Sequence, residues 1–324
     1  MLTGATGLLG SNVAAELTQR GYHVKVLLRK SSNTIALADL PVTHCLGDIT
    51  DPESIRAAMR DCQIVIHAAA NTSQWGPDIA QHDAVNVQGT ENVLSAIQSN
   101  DVERFIYVST ANTLAPGPLE NPGDETGAFG YQSGSTPYID TKYRAEQLVL
   151  EAVAAQGIPA VIVNPTFIIG ARDAKPSSGK MILFYLRSPL VMCPPGGKNY
   201  VSASDAAMAI VNAIEYGRVG ERYLLAGANL SYSDFFTKIG QVTGRQKPML
   251  HAPAMLLRAI GRIGNVAQQF VPRPISWTYP NVSMLTIDNY YKPTKAVTEL
   301  NMPQTAIENA IDDAFTWFAK HNYV

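Results

Sequence analysis

Short runs of β-branched residues at 22–28, 42–46, 63–67, 104–109 and 160–164 alternate with stretches of helical period at 8–20, 53–60, 79–99 and 137–156. Two parallel strands can be joined only by a long crossover, so this rhythm predicts a parallel sheet with helices on both faces. A helical pattern at 203–216, followed by an apolar run at 222–226, returns to the same sheet after a looser stretch containing Pro and Gly. Two interleaved parts are expected. Residues 1–168 plus about 199–227 build a doubly wound sheet, and about 169–198 plus 228–324 build a smaller capping lobe. Only Met1, Leu2 and Thr3 precede the first glycine turn. The first strand is therefore expected to be stunted, which would weaken ligand binding, or else to start further upstream.

With 324 residues, 46% of them hydrophobic, the chain can bury a large core. A formal net charge of -2 and the lack of a basic run argue against nucleic acid and for a small-molecule ligand. Cys45, Cys62 and Cys193 are odd in number and show no C-x-x-C spacing, so a reducing, cytoplasmic setting is expected. The six histidines never pair at i,i+3 or i,i+4, and no metal site is expected. Arg258 and Arg262 interrupt the most apolar late helix, so no segment is expected to span a membrane. Ser109 lies in no G-x-S-x-G elbow, which argues against a serine hydrolase.

Gly4, Gly7 and Gly10, in Thr3-Gly4-Ala5-Thr6-Gly7-Leu8-Leu9-Gly10, follow a strand remnant and open an amphipathic helix. Glycines at this spacing let the backbone turn tightly, approach phosphate oxygens and pack the helix close to the sheet. A dinucleotide pyrophosphate at that helix N-terminus is the expected ligand. An acidic residue at the end of the second strand often reads the adenosine ribose, but here Arg29 and Lys30 stand in its place. A guanidinium can grip a 2′-phosphate through paired charge-assisted hydrogen bonds, so NADP(H) is expected over NAD(H).

Tyr-x-x-x-Lys occurs twice. In the Tyr291 to Lys295 copy, Pro293 breaks the helical register, and that copy is set aside. Tyr138 and Lys142 follow Thr136 as N-cap and Pro137 at the first helical position, so they stack on one helix face. A phenol beside an ammonium could move the proton that accompanies a hydride, with the lysine charge lowering the phenol pKa. The strand 104–109 ends in the hydroxyls Ser109 and Thr110 at the carboxyl edge, and either could orient a substrate carbonyl. Gln74 and Trp75, in the loop after Ala70, either line the substrate pocket or anchor their own segment.

Together these residues resemble the extended short-chain dehydrogenase/reductase superfamily, over nearly the whole chain. Thr3 to Gly10 is similar to its cofactor turn, which implies contacts from Gly4, Thr6, Gly7, Leu8, Leu9 and Gly10. Asp48 and Ile49 are similar to its adenine contact, Ala68 and Ala69 to its fourth-strand motif, and Asn86 to its helix asparagine. By the same register Thr110 is the catalytic hydroxyl, Tyr138 the acid/base and Lys142 the ribose-binding lysine, with Pro165 also at the cofactor. Later segments, 164–166, 200–205 and 220–227, look like the dihydroflavonol-reductase-like branch. The resemblance implies a Rossmann-type α/β fold, a doubly wound parallel sheet with a smaller, partly interleaved C-terminal substrate lobe. It also implies NADPH-dependent reduction of a ketone or aldehyde. Two competitors stand beside that expectation, a nucleotide-sugar epimerase or dehydratase with tightly held NAD(P), and a regulatory module that binds NADP without chemistry. Ala115-Pro116 stands where sugar-nucleotide epimerases usually carry Tyr-Gly, which disfavours the first. Asp205 is read as a carboxylate in a helix's first turn. Helices 79–99 and 137–156 could pair across a homodimer, or serve a monomer equally well.

Overall fold

The computed structural model describes residues 1–73, 79–129, 136–271, 275 and 277–324; Gln74 and Trp75 lie outside them. The first half runs β1 (Leu2–Thr3), α1 (Leu8–Gln19), β2 (Lys25–Leu28), β3 (Thr43–Leu46), α2 (Pro52–Met59), β4 (Ile64–His67), α3 (Ile79–His82), a π-helical turn at Asp83–Gln88, α4 (Gly89–Gln98), β5 (Arg104–Val108), α5 (Pro137–Gln156) and β6 (Ala160–Pro165). There follow β7 (Phe167–Ile169), α6 (Lys180–Arg187), β8 (Val191–Cys193), β9 (Gly197–Ser202), α7 (Ala203–Tyr216), β10 (Arg222–Leu225), β11 (Ala228–Ser231), α8 (Tyr232–Thr243), β12 (Met249–His251), α9 (Ala254–Gln268), α10 (Tyr279–Ser283), β13 (Asp288–Asn289), α11 (Thr294–Glu299) and α12 (Ile307–Lys320).

Seven strands form one sheet in the order β10-β6-β5-β4-β1-β2-β3, and every pairing is parallel. The order reverses between β1 and β4, so the crevice for a ligand opens there, at the carboxyl ends of the strands. Helices α1 and α7 seal one face through Val13, Leu17, Ile210 and Ile214, while α4 and α5 seal the other through Val93, Ile97, Val149 and Ala152. This is the doubly wound Rossmann-type architecture. The remaining strands form small sheets in the order β11-β9-β13, with β7 also on β9, and β12-β8. Around them Tyr185, Tyr200, Phe235, Ile311 and Phe318 form a separate apolar core.

Local chemistry explains the element ends. Gly21, at φ +81°, lets the chain turn so that Tyr22 N–H bonds the Leu17 carbonyl and closes α1; the strand expected from residue 22 therefore begins at Lys25. The Asp51 carboxylate accepts from Glu53 N–H and caps α2, with Pro52 at the first helical position. Thr136 caps α5 by accepting from Ile139 N–H, and Gly157 ends it in the left-handed conformation. The stretch 79–99, read as one helix, is broken by the π-helical turn, whose wider register places Asn86 inward.

The first strand is two residues long, yet it is held on both sides. It pairs with β2 and β4, and the Met1 amino group donates to the Ile64 carbonyl at 2.6 Å. The Thr3 hydroxyl meets His67 Nδ1 at 2.7 Å and accepts from Ala69 N–H at 3.2 Å. Side-chain bonds thus replace part of the ladder that a longer strand would supply.

Candidate active site

The glycine turn is built for close approach. Gly4 sits at φ +73°, and a Cβ there would come within 2.5 Å of the Ala68 backbone; at Gly10 it would come within 2.2 Å of the Gly4 carbonyl. Only glycine satisfies both positions. A Cβ at Gly7 would meet nothing nearer than 3.5 Å, so that face of the turn is open toward a ligand. Helix α1 starts at Gly7 with no side-chain cap and no acidic residue in its first turn. Its leading N–H groups, at Leu8, Leu9 and Gly10, therefore suit an anion, and the cradle fits a dinucleotide pyrophosphate. Thr6 lies in the same turn.

Around this cradle the other expected contacts fall into two groups. Arg29 and Lys30 follow β2 directly and are exposed, with Arg29 N–H turned onto Ser32 Oγ at 3.1 Å. Ala68 and Ala69 follow β4 and pack over Gly4, and Pro165 ends β6. Asp48 and Ile49 follow β3; Asp48 Oδ1 accepts from both Thr50 N–H and Thr50 Oγ1 at 2.9 Å, while Asn92 Nδ2 donates to Ile49 O at 3.0 Å. Asn86 is different. Its amide accepts from Asn71 N–H at 2.7 Å and donates to Asn71 O at 3.1 Å and Thr141 Oγ1 at 3.0 Å. It staples the loop after β4 to α5.

Thr110, Tyr138 and Lys142 come together at the carboxyl rim. Burial raises the Tyr138 phenol pKa, and the Thr110 hydroxyl beside it opposes the rise. Thr110 itself is fixed through its carbonyl, which accepts from Asn164 Nδ2 at 3.2 Å and Thr113 Oγ1 at 2.8 Å. Lys142 Nζ, buried, donates to Tyr107 Oη and to Val108 O, both at 2.8 Å, and lies 4.3 Å from the Tyr107 ring centre. Burial pushes Lys142 down to about 7, with Glu146 pulling the other way. The Lys142 ammonium turns inward onto β5, while at the phenol burial is the larger influence and the Thr110 hydroxyl the opposing one.

Glu146 escaped the sequence reading. It stands one helical turn beyond Lys142 with no exposure, and Oε2 accepts from Ser109 Oγ at 2.5 Å, Thr113 Oγ1 at 2.8 Å and Asn164 Nδ2 at 2.8 Å. Its Oε1 faces Arg222 at 3.5 Å. The i,i+4 repeat Tyr138, Lys142, Glu146 was the available signal, since it puts all three on one face. Ser109 is thus a partner of Glu146. His67 was passed over as well; it bonds Thr3 and meets Thr90 Oγ1 at 3.3 Å, and burial pushes its imidazole down to about 3.

The second Tyr-x-x-x-Lys pair diverges. Tyr291 Oη donates to Ala111 O and Leu114 O, while Lys295 Nζ bonds Glu221 at 2.6 Å. Asp205, read as a first-turn carboxylate of α7, also accepts from Thr305 N–H and Oγ1 at 2.7 Å and ties that helix to the chain near α12. Among the described residues no group of His, Cys, Asp or Glu is arranged for a metal ion, and no helix is long and apolar enough to cross a membrane.

A doubly wound sheet with a glycine cradle at its switch point and a Tyr-Lys pair at its rim defines a nicotinamide-dependent enzyme of the extended short-chain dehydrogenase/reductase type. The chain belongs to the NAD dependent epimerase/dehydratase family, whose profile matches residues 1–226. It is 33% identical over 328 aligned residues to a Synechocystis protein provisionally named dihydroflavonol 4-reductase, covering 100% of this chain and 95% of that one. It is 32% identical to the 4-hydroxy-2-methyl-3-oxo-4-farnesyl-3,4-dihydroquinoline-1-oxide ketoreductase of Stigmatella aurantiaca, over 81% of this chain and 78% of that protein. Among solved structures, gox2253 superposes with a TM-score of 0.86 at 32% identity, covering 99% of this chain and 97% of that one.

Proposed function

We propose that the protein is an NADPH-dependent reductase of a ketone or aldehyde on a small organic substrate, with Tyr138 as proton donor. The observation that carries this reading is the convergence of the Thr110 hydroxyl, the Tyr138 phenol and the buried Lys142 ammonium at the carboxyl rim. In this reading residues 1–168 and about 199–227 hold the cofactor, and the rest of the chain shapes the substrate side. The glycine turn from Gly4 to Gly10 would hold the pyrophosphate, and Arg29 with Lys30 the 2′-phosphate. When bound, the cofactor supplies the hydride.

Tyr138 Oη then gives its proton to the carbonyl oxygen. A phenol pKa raised by burial keeps the group protonated at neutral pH, which suits an acid working in the reductive direction. Thr110, donating to the phenol oxygen, aims the phenol O–H at the substrate carbonyl. Lys142 uses two of its three N–H donors on Tyr107 and Val108, which leaves one for the nicotinamide ribose.

The test is NADPH consumption across a panel of flavonoid, steroid, aromatic-aldehyde and sugar-nucleotide substrates, with Tyr138→Phe as control. Turnover that the variant loses supports the reading. Isomerised sugar nucleotide with no net NADPH consumption overturns it in favour of an epimerase, and silence across the panel favours a binding module without chemistry.

A further inference from the structure

The segment from β12 to α10 is unlike the rest of the chain. Between Asp234 and Asp288 there is no Asp or Glu, while Lys238, Arg245, Lys247, Arg258, Arg262 and Arg273 fall inside it. Lys238 is answered by Glu308 on α12, but no acidic residue of the stretch itself offsets the others. Helix α9 lies at its centre, packed inward through Leu257, Gly261 and Gly264. Close contact is enforced at Gly264, where a Cβ would come within 2.3 Å of the Trp277 carbonyl.

The outward side of the same helix is apolar. Met255 is 83% exposed, Ile263 62% and Phe270 81%, with Leu256 and Val266 also exposed. At 3.6 residues per turn Met255, Leu256, Ile263 and Val266 fall within about 100° of one another around the helix axis, a single stripe, and Phe270 follows just beyond the helix end. Arg258 and Arg262 border it. Arg258 donates to Thr286 Oγ1 at 3.2 Å, and Arg262 lies 5.8 Å from the Tyr279 ring centre; among the described residues neither meets a carboxylate. Near the start of the helix, Leu250 and Met192 are cross-strand partners and both are exposed.

We propose that this face, the outward stripe of α9 with Arg258 and Arg262 beside it, docks on the surface of an anionic lipid bilayer. An exposed apolar stripe edged by cations is the signature of a helix lying in the plane of a membrane interface, with its aliphatic and aromatic side chains in the acyl boundary. The cations meet anionic headgroups, and the absence of acidic residues removes any repulsion from them. A second copy of the chain fits less well. A two-fold interface would set these arginines against their own equivalents, with no carboxylate in the segment to answer them. The spanning helix excluded above is a different matter, because this attachment buries one side of a helix and crosses nothing.

Flotation of the full-length protein with vesicles decides the matter. Binding is expected to phosphatidylcholine vesicles containing phosphatidylglycerol, weaker at high salt, and far weaker to pure phosphatidylcholine. Arg258→Glu with Arg262→Glu should cut the bound fraction at least about tenfold. Ile263→Ser with Phe270→Ser should do the same even at low salt, each variant being accepted only if its thermal unfolding matches the wild type. If the double charge variant does not fold, Arg262→Ala and the salt titration of the wild type carry the test. NADPH binding should be unchanged in all of them. Failure to float with either vesicle overturns the proposal, as does a dimer in light scattering that Ile263→Ser dissociates.

Discussion

Lys142 and Glu146 stand one turn apart on α5, both sealed from solvent, yet each reaches a different strand end. Lys142 bonds Tyr107 and Val108 on β5, and Glu146 gathers Ser109, Thr113 and Asn164. The carboxylate thereby fixes the groups that hold the Thr110 carbonyl, and its charge is the one influence that raises the Lys142 pKa.

Replacing Glu146 by Gln should therefore lower the Lys142 pKa further below about 7. Lys142 loses its proton as pH rises, so NADPH affinity in the wild type should fall as pH rises through that value. In the variant the fall should come at lower pH, by about one unit. The readout is the cofactor dissociation constant across pH. A lower melting temperature with an unmoved midpoint would mean that Glu146 acts on the fold alone.

Tyr138→Phe removes the proton donor and leaves the cradle intact. Turnover should drop by about a thousandfold while NADPH affinity changes by less than about twofold. Single-turnover kinetics with a reactive aldehyde measure both.

Thr110 has two duties that substitutions can separate. Thr110→Ser keeps the hydroxyl and should retain most activity, whereas Thr110→Val should lose about ten- to a hundredfold in kcat with little change in KM. Equal losses in both variants would point to packing instead.

Arg29→Ala should weaken NADPH about tenfold and leave NADH within about twofold, since only the 2′-phosphate is addressed by the guanidinium. Calorimetric titration with the two cofactors checks it. Tighter NADH than NADPH binding in the wild type would remove the NADP preference.

His67 should make the fold acid-sensitive. Its folded pKa is depressed to about 3 from an ordinary 6.5, so between those values the unfolded chain binds a proton that the folded one refuses. Stability from this group is present above about 6.5 and lost as pH falls toward 3, at a slope approaching about 1.4 kcal/mol per pH unit. His67→Asn should flatten that slope in urea unfolding curves.

Strands of the main sheet were legible because buried parallel strands read as continuous apolar runs, and their helices because amphipathic period survives in the sequence. Boundaries drifted where a turn recruited strand residues, as Tyr22 does in closing α1. The break in 79–99 was invisible, since a π turn shifts register without changing composition. Lobe strands such as Val191–Cys193 are three residues long, too short to show a period. At the site, spacing revealed Tyr138 and Lys142 but not where the ammonium would point. The i,i+4 spacing puts Glu146 on their face, but its burial is set by partners that arrive from just beyond β5, from β6 and from β10.

The seventh strand of the main sheet, β10, arrives some sixty residues after β6, its neighbour. During synthesis the flank of β6 stands uncovered until Arg222–Leu225 leaves the ribosome, and an open flank is where nascent chains cross-pair. Chaperone dependence should therefore concentrate in that interval of translation.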